Sequence, residues 1–262
     1  MTKALFFDID GTLVSFNTHT IPASTIEALT AAHQKGIQIF IATGRPPQII
    51  NNLGELQDRG LIDGYVTMNG AYCFVGDEII YKSSIPHTDV LSMVRFCQEN
   101  NYPCIFVGEK EASVCQPDQV LRSIFYDFLK VNEFPIATFE EATSYDIFQM
   151  TPFFSTEAEA IISPQVPSCE FGRWHPAFVD ITAIGNNKRK GIDQMIEHMG
   201  LNLEEVMAFG DGGNDISMLE HVGIGVAMGN GRDEVKAAAK YVTDTVDDHG
   251  IANALKHFGI ID

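Results

Sequence analysis

Leu5-Phe6-Phe7-Asp8-Ile9-Asp10-Gly11-Thr12-Leu13 lies close to the start of the 262-residue chain, and its reading decides the fold. Ala4–Phe7 has the apolar character of a strand. It ends in a carboxylate, Asp8, with a second carboxylate, Asp10, two residues further on. Near a strand end that spacing lets both side chains point to the same side. Asp10-Gly11 taken alone is a common turn signal. Its weight here comes from what the rest of the chain sets beside it.

Working outward, Ala23–Lys35 carries apolar Ile26, Leu29 and Ala32 on one helical face, with Gly36 at the place of a C-terminal cap. Ile37–Ala42 is an apolar run suited to a strand buried on both faces, and a short helix is expected near Pro46. Tyr65–Met68 gives a third strand, and Tyr72–Tyr81 a hairpin about Gly76-Asp77. From Ser83 to about Ile184 the alternation becomes less regular and aromatics more frequent. Helices are expected there at Thr88–Asn100 and Pro117–Lys130, and strands at Cys104–Val107, Ile147–Met150 and Phe178–Thr182. After Lys188 the first pattern returns. A helix to Met199, strand Val206–Phe209, a helix from Asn214, strand Ile224–Ala227, a helix from Asp233 and a last helix at Ala252–His257 follow. The expected fold is therefore α/β: a doubly wound, Rossmann-like parallel sheet core carrying an inserted α/β cap domain. The core spans 1–82 and 185–262, and the insertion spans 83–184.

Three polar clusters follow three of these strands: Asp8–Thr12, Thr43-Gly44-Arg45 and Gly210-Asp211-Gly212-Gly213-Asn214-Asp215. In parallel α/β sheets ligands bind outside the carboxyl ends of the strands, so the clusters can converge on one site. Asp8, Asp10, Asp211 and Asp215 would then crowd together. Two unit charges about 4 Å apart interact by roughly 1 kcal/mol in water and about 4 kcal/mol at an effective dielectric of 20, so the site calls for a cation. Magnesium is a hard ion held by carboxylates, water and substrate phosphate, and it fits that need. Thr43 and Gly44, at the start of an expected helix, offer a hydroxyl and amides to an anion. Thr43 could also serve simply as a helix cap. Lys188 can supply a cation to phosphoryl oxygens. Carboxylates, metal, lysine and a phosphate cradle suit phosphoryl transfer to a carboxylate nucleophile.

At Asp8–Leu13, Thr43-Gly44-Arg45, Lys188 and Gly210–Asp215 the sequence resembles the four ordered motifs of the haloacid dehalogenase superfamily. The large insertion, and Asn69-Gly70-Ala71 after the third strand, resemble its Cof-type phosphatase branch, which includes bacterial sugar-phosphate phosphatases. The resemblance implies that Asp8 is the nucleophile and a metal ligand. Asp10 would be general acid and then base, its backbone carbonyl also reaching the metal, and Asp211 would bind Mg2+. Thr43, Gly44, Lys188 and Asn214 would hold the phosphoryl group, with Arg45 contacting substrate at the edge. Asp215 would stand behind the metal ligands or reach the ion through water; as a plain first-turn helix carboxylate it would need no such role. Lys190 is the alternative to Lys188, since both open the same helix. Arg173-Trp174-His175 is expected in a surface loop with a packed tryptophan.

Composition sets the outer bounds. Formal net charge is -18, with no basic cluster, which argues against nucleic acid and anionic membrane as partners. No apolar run spans a membrane, the start reads as a strand and not a leader, and the cytoplasm and a monomer are the expectations. Five cysteines, none at CxxC spacing, suggest reduced thiols. The expected substrate is a small phosphorylated metabolite, with hexose phosphates foremost. Carbon-acting dehalogenases are disfavoured by Asp10 and the acidic fourth cluster, and transport ATPases by the lack of a membrane region. A phosphomutase with the same nucleophile, and a non-catalytic protein that binds a phosphorylated metabolite, are the competing functions. The intact set of carboxylates opposes the latter.

Overall fold

Each residue of Ala4–Phe7 is 0% exposed, as expected of a strand at the centre of a sheet covered on both faces. The computed structural model describes residues 1–262 apart from the side chain of Trp174. Its strands are β1 (Ala4–Phe7), β2 (Gln38–Ala42), β3 (Gly64–Thr67), β4 (Tyr72–Val75), β5 (Glu78–Lys82), β6 (Cys104–Val107) and β7 (Ala112–Cys115). There follow β8 (Gln149–Pro152), β9 (Cys169–His175), β10 (Phe178–Ala183), β11 (Val206–Gly210), β12 (Ile224–Ala227) and β13 (Tyr241–Val242).

The larger sheet has the order β13-β12-β11-β1-β2-β3-β4-β5. From β13 to β3 neighbouring strands are parallel, and β4 runs antiparallel to β3. The chain moves outward from β1 on one side through β2 and β3, and on the other side through β11, β12 and β13. The carboxyl ends of β1 and β11 therefore flank the switch point where such sheets bind ligands. Alternation along β1 sends Ala4 and Phe6 to the face packed by Ile192, Met195, Met218 and Leu219. Phe6 stacks on Phe40 at 4.8 Å, and Phe7 on Phe209 at 4.7 Å. The three strands whose ends carry the polar clusters are thus joined by aromatic pairs worth roughly 0.5–1.5 kcal/mol each beyond burial.

By internal packing the chain divides into two units. One comprises Met1–Gly44, Asn52–Tyr81 and Asn187–Asp262; the other comprises Arg45–Asn51 and Lys82–Asn186. Arg45–Asn51, expected in the sheet core, groups with the second unit because Gln48 Nε2 donates to the carbonyls of Gly108 and Glu109 at 3.3 Å each. The second unit holds an antiparallel sheet of order β7-β6-β8-β10-β9. One of its faces, with Phe106, Met150 and Ile181, packs against Val90, Met93 and Cys97 of helix His87–Asn100 and Ala158 and Ile162 of helix Thr156–Ile162.

Several expectations need correction. The helix expected at Pro117–Lys130 is one α-turn, Gln119–Leu121, running into a wide π-helix, Arg122–Phe128. There Leu129 N donates back to Ile124 O, and Phe125 packs edge-on against Phe153 and Phe178. The strand expected at Ile147–Met150 lies at Gln149–Pro152, where Phe106 faces Met150 in the ladder. Arg173-Trp174-His175 is the end of β9 and not a loop; the packing expected of Trp174 lies outside the described side chains. Arg173 holds that strand in place: its guanidinium pairs with Glu159 at 2.8 Å and donates to the carbonyls of Phe154 and Phe178 at 3.1 Å each. Directly after Pro46 lies a single 3-10 turn, Pro47–Ile49, with the short helix Gly54–Asp58 further on, and the expected helix from Asn214 begins as the 3-10 turn Gly213–Asp215 before Ile216–His221. All five cysteines are free thiols, and Cys73, Cys97, Cys104 and Cys115 are buried. Among the described residues no helix is long and apolar enough to cross a membrane.

Candidate active site

Asp8 follows β1 directly, and its amide donates to Phe209 O at 3.0 Å, so its position is fixed by the same ladder that aligns β1 with β11. Beyond it the chain folds on itself: the amides of Leu13 and Val14 return to Ile9 O at 3.0 and 2.8 Å, and Gly11 N donates to Val14 O at 2.8 Å. Gly11 has φ +86°, and a Cβ there would stand 2.2 Å from Asp211 Oδ2. Only glycine allows the two loops to approach so closely. Thr12 Oγ1 donates to Asp211 Oδ1 at 2.9 Å, and Asn230 Nδ2 bridges Gly11 O at 2.8 Å and Asp211 Oδ2 at 3.3 Å.

Lys188 is 0% exposed although it opens a helix. Asn187 caps that helix through Lys190 N, at 2.9 Å. The Lys188 ammonium lies 2.5 Å from Asp8 Oδ1 and 2.6 Å from Asp215 Oδ1. Lys190 is exposed and lies 5.7 Å from the centre of the Tyr81 ring. Asp215 is fully buried; its second oxygen accepts from Asp211 N at 2.9 Å and Gly212 N at 2.8 Å. It is therefore no ordinary first-turn carboxylate: it ties the β11 loop to Lys188.

Four carboxylates share one ammonium here. Burial pushes the Asp8 carboxyl well above 3.8; Lys188 opposes this, and Asp215, Asp211 and Asp10 add to it. Burial and Asp215 push Asp211 up to about 7 against the Thr12 hydrogen bond. Burial disfavours the Lys188 cation, but Asp215 and Asp8 outweigh it and raise its pKa above 10.5. Lys188 therefore stays charged, and the surplus negative charge falls on Asp8 and Asp211. Asp8, Asp211 and Asp215 each bring an oxygen within 4.8 Å of the others, an all-oxygen set that could hold a divalent cation. Asp10 is outside that trio; its backbone pairs with Val14 in an isolated bridge.

Thr43 is buried, and its amide donates to Val66 O at 2.9 Å, so that amide serves the sheet and is not offered to an anion as expected. Arg45 donates to Ile49 O at 3.0 Å and groups with the second unit. Asn214 Nδ2 donates to Asn69 Oδ1 at 3.0 Å. Thr12, Asn69 and Asn230 take part in these contacts although no site role is expected of them from the sequence. Thr12 and Asn69 stand inside conspicuous clusters, and Asn230 stands in Gly229-Asn230-Gly231, a turn signal just after β12 that could have pointed to it.

A family model for haloacid dehalogenase-like hydrolases matches residues 5–255. The solved structure of the subclass IIB sugar phosphatase BT4131 superposes with a TM-score of 0.95 at 64% identity, covering 99% of this chain and all of that one. Among curated proteins, the putative phosphatase YkrA of Bacillus subtilis is 33% identical over 99% of both chains. The pyridoxal phosphate phosphatase YbhA of Escherichia coli is 30% identical over 92% of this chain and 93% of its own. A match over nearly the whole length, on a sheet whose central strands end in Asp8 and Asp211, has one reading: the chain belongs to the haloacid dehalogenase-like hydrolases and is a phosphatase of that family.

Proposed function

We propose that the chain is a magnesium-dependent phosphatase of small phosphorylated metabolites, hexose phosphates foremost, acting through an aspartyl-phosphate on Asp8. The observation that carries the chemistry is the Asp8 carboxylate, buried at the end of β1 and held by Lys188. The similarity to a sugar phosphatase at 64% identity supports the substrate class. Selection among metabolites is assigned, in the same reading, to the inserted unit.

An Asp8 oxygen attacks phosphorus as the bond to the leaving oxygen breaks, and Asp10 gives that oxygen its proton. Asp10, now a carboxylate, takes a proton from water as the water attacks phosphorus. The acyl-phosphate bond breaks, Asp8 is restored and orthophosphate leaves. Lys188 favours the ionised form of Asp8 and aims it, and Asp215 keeps Lys188 in place. Thr43, Gly44 and Asn214 hold phosphoryl oxygens, with Arg45 toward the substrate. Asp8, Asp211 and the Asp10 carbonyl would hold Mg2+, which when bound neutralises charge on the phosphoryl oxygens. Asp8→Asn should abolish turnover of hexose phosphates while circular dichroism and the melting curve show a folded chain. A phosphoryl adduct trapped on another residue would sink the proposal.

A further inference from the structure

Met68, Asn69 and Gly70 form a turn after β3 with three successive left-handed residues, at φ +50°, +51° and +89°. Such a run in non-glycine residues is strained and persists only where its surroundings hold it. Asn69 is held on two sides. Its amide donates to Thr43 O at 3.1 Å, and its Oδ1 accepts from Asn214 Nδ2 at 3.0 Å. Its side chain lies against the Gly44 backbone: a Cβ on Gly44 would be 3.2 Å from both Asn69 Nδ2 and Oδ1. With Oδ1 taken by Asn214, the direction of Nδ2 is set, and that nitrogen, on a half-buried residue, has no hydrogen-bond partner among the described residues. A fixed amide with unmatched N–H groups can donate but not accept, and its natural complement is an anionic oxygen.

We propose that Asn69 is a further phosphoryl-binding residue: Nδ2 donates to a phosphoryl oxygen beside Gly44, while Oδ1 keeps the Asn214 amide aligned. The inference rests on the reading of Thr43, Gly44 and Asn214 as the phosphate cradle.

The test is calorimetric titration of the magnesium-loaded protein with inorganic phosphate, beside steady-state kinetics on a hexose phosphate. Asn69→Asp keeps the shape, the tolerance of a left-handed backbone and the acceptor for Asn214, but removes both N–H groups. Asn69→Gly suits the backbone equally and removes the whole side chain. Both variants should bind phosphate about 10- to 100-fold more weakly, as for a lost hydrogen bond to a charged group, with melting temperatures close to the parent's. Wild-type phosphate affinity in Asn69→Asp, with loss only in Asn69→Gly, would mean that Asn69 acts solely through Asn214 and would overturn the proposal. So would wild-type affinity in both. Weakened phosphate binding in a chain that hydrolyses no phosphomonoester would uphold Asn69 while removing the phosphatase reading. Because Asn69→Asp also adds a negative charge, the two variants are read together and the Asn69→Asp titration is repeated at high salt, where a loss due to repulsion alone fades and would overturn the proposal.

Discussion

Asp8 and Asp10 differ at the residue scale in a way that kinetics can separate. Asp8 lies in the carboxylate trio against Lys188, whereas Asp10 is outside it, half-buried on the turn. A general acid contributes a factor of about 10²–10⁴, felt most when the leaving group is a poor one. Asp10→Asn should therefore slow the burst phase with a sugar phosphate by about that factor. With an activated aryl phosphate the burst should slow far less, and the adduct should accumulate because its hydrolysis still wants a base. Rapid-quench measurement of burst and steady state with both esters checks this. Equal slowing of the two bursts, with metal affinity unchanged, would remove Asp10 from the acid role.

At the scale of elements, the helix Lys188–Met199 brings Lys188 to Asp8, and a glycine contact sets how closely that helix approaches. Gly70 has φ +89°, and a Cβ on it would lie 2.1 Å from Asn187 O, in the cap of this helix. Gly36 has φ +82° with open space about it. Gly36→Ala should therefore show the cost of backbone strain alone, on the order of 1 kcal/mol, with activity unchanged. Gly70→Ala adds a collision with backbone that cannot yield. It should lose more stability than Gly36→Ala, and its kcat should fall as Lys188 shifts away from Asp8. Paired denaturant melts and assays test the difference; equal stability loss and full activity in both would show that the close approach does not matter.

For the molecule as a whole, the surplus acid at the site links metal, pH and stability. A carboxyl whose folded pKa lies above its unfolded value weakens the fold as pH rises. For Asp211 the penalty is absent below about 3.8, grows from there to about 7 and is complete above, and Asp8 acts in the same direction. Magnesium should relieve that penalty. The rise in melting temperature on adding magnesium should increase from pH 4 up through pH 7, and chelator should abolish both the rise and the turnover. A magnesium shift independent of pH, or full turnover in excess chelator, would remove these carboxylates from the metal site.

Strand and helix periodicity, the Asp-rich ends of Ala4–Phe7 and Val206–Phe209, and the break in pattern near Ser83 were legible because each depends on neighbours in the chain. Burial of both faces selects an apolar run, and a turn selects glycine and aspartate, whatever the partner strand. Long-range partners were not legible. Lys188 and Lys190 both stand in the first turn of one helix, and only packing decides that the first is buried between Asp8 and Asp215 while the second lies over Tyr81. Asn230 serves Asp211 from the turn Gly229-Asn230-Gly231, whose residues signal a turn but not the carboxylate it meets. Thr43 was expected to offer its amide to an anion, but the ladder with β3 claims it. In the second unit β7 and β9 were not expected; β9 is set by its ladder with β10, beside which the Arg173 guanidinium gathers carbonyls from separate segments. Local periodicity records which face of an element is buried; the tertiary structure decides which charge meets which, because Coulomb and hydrogen-bond energies depend on distances that sequence separation does not set.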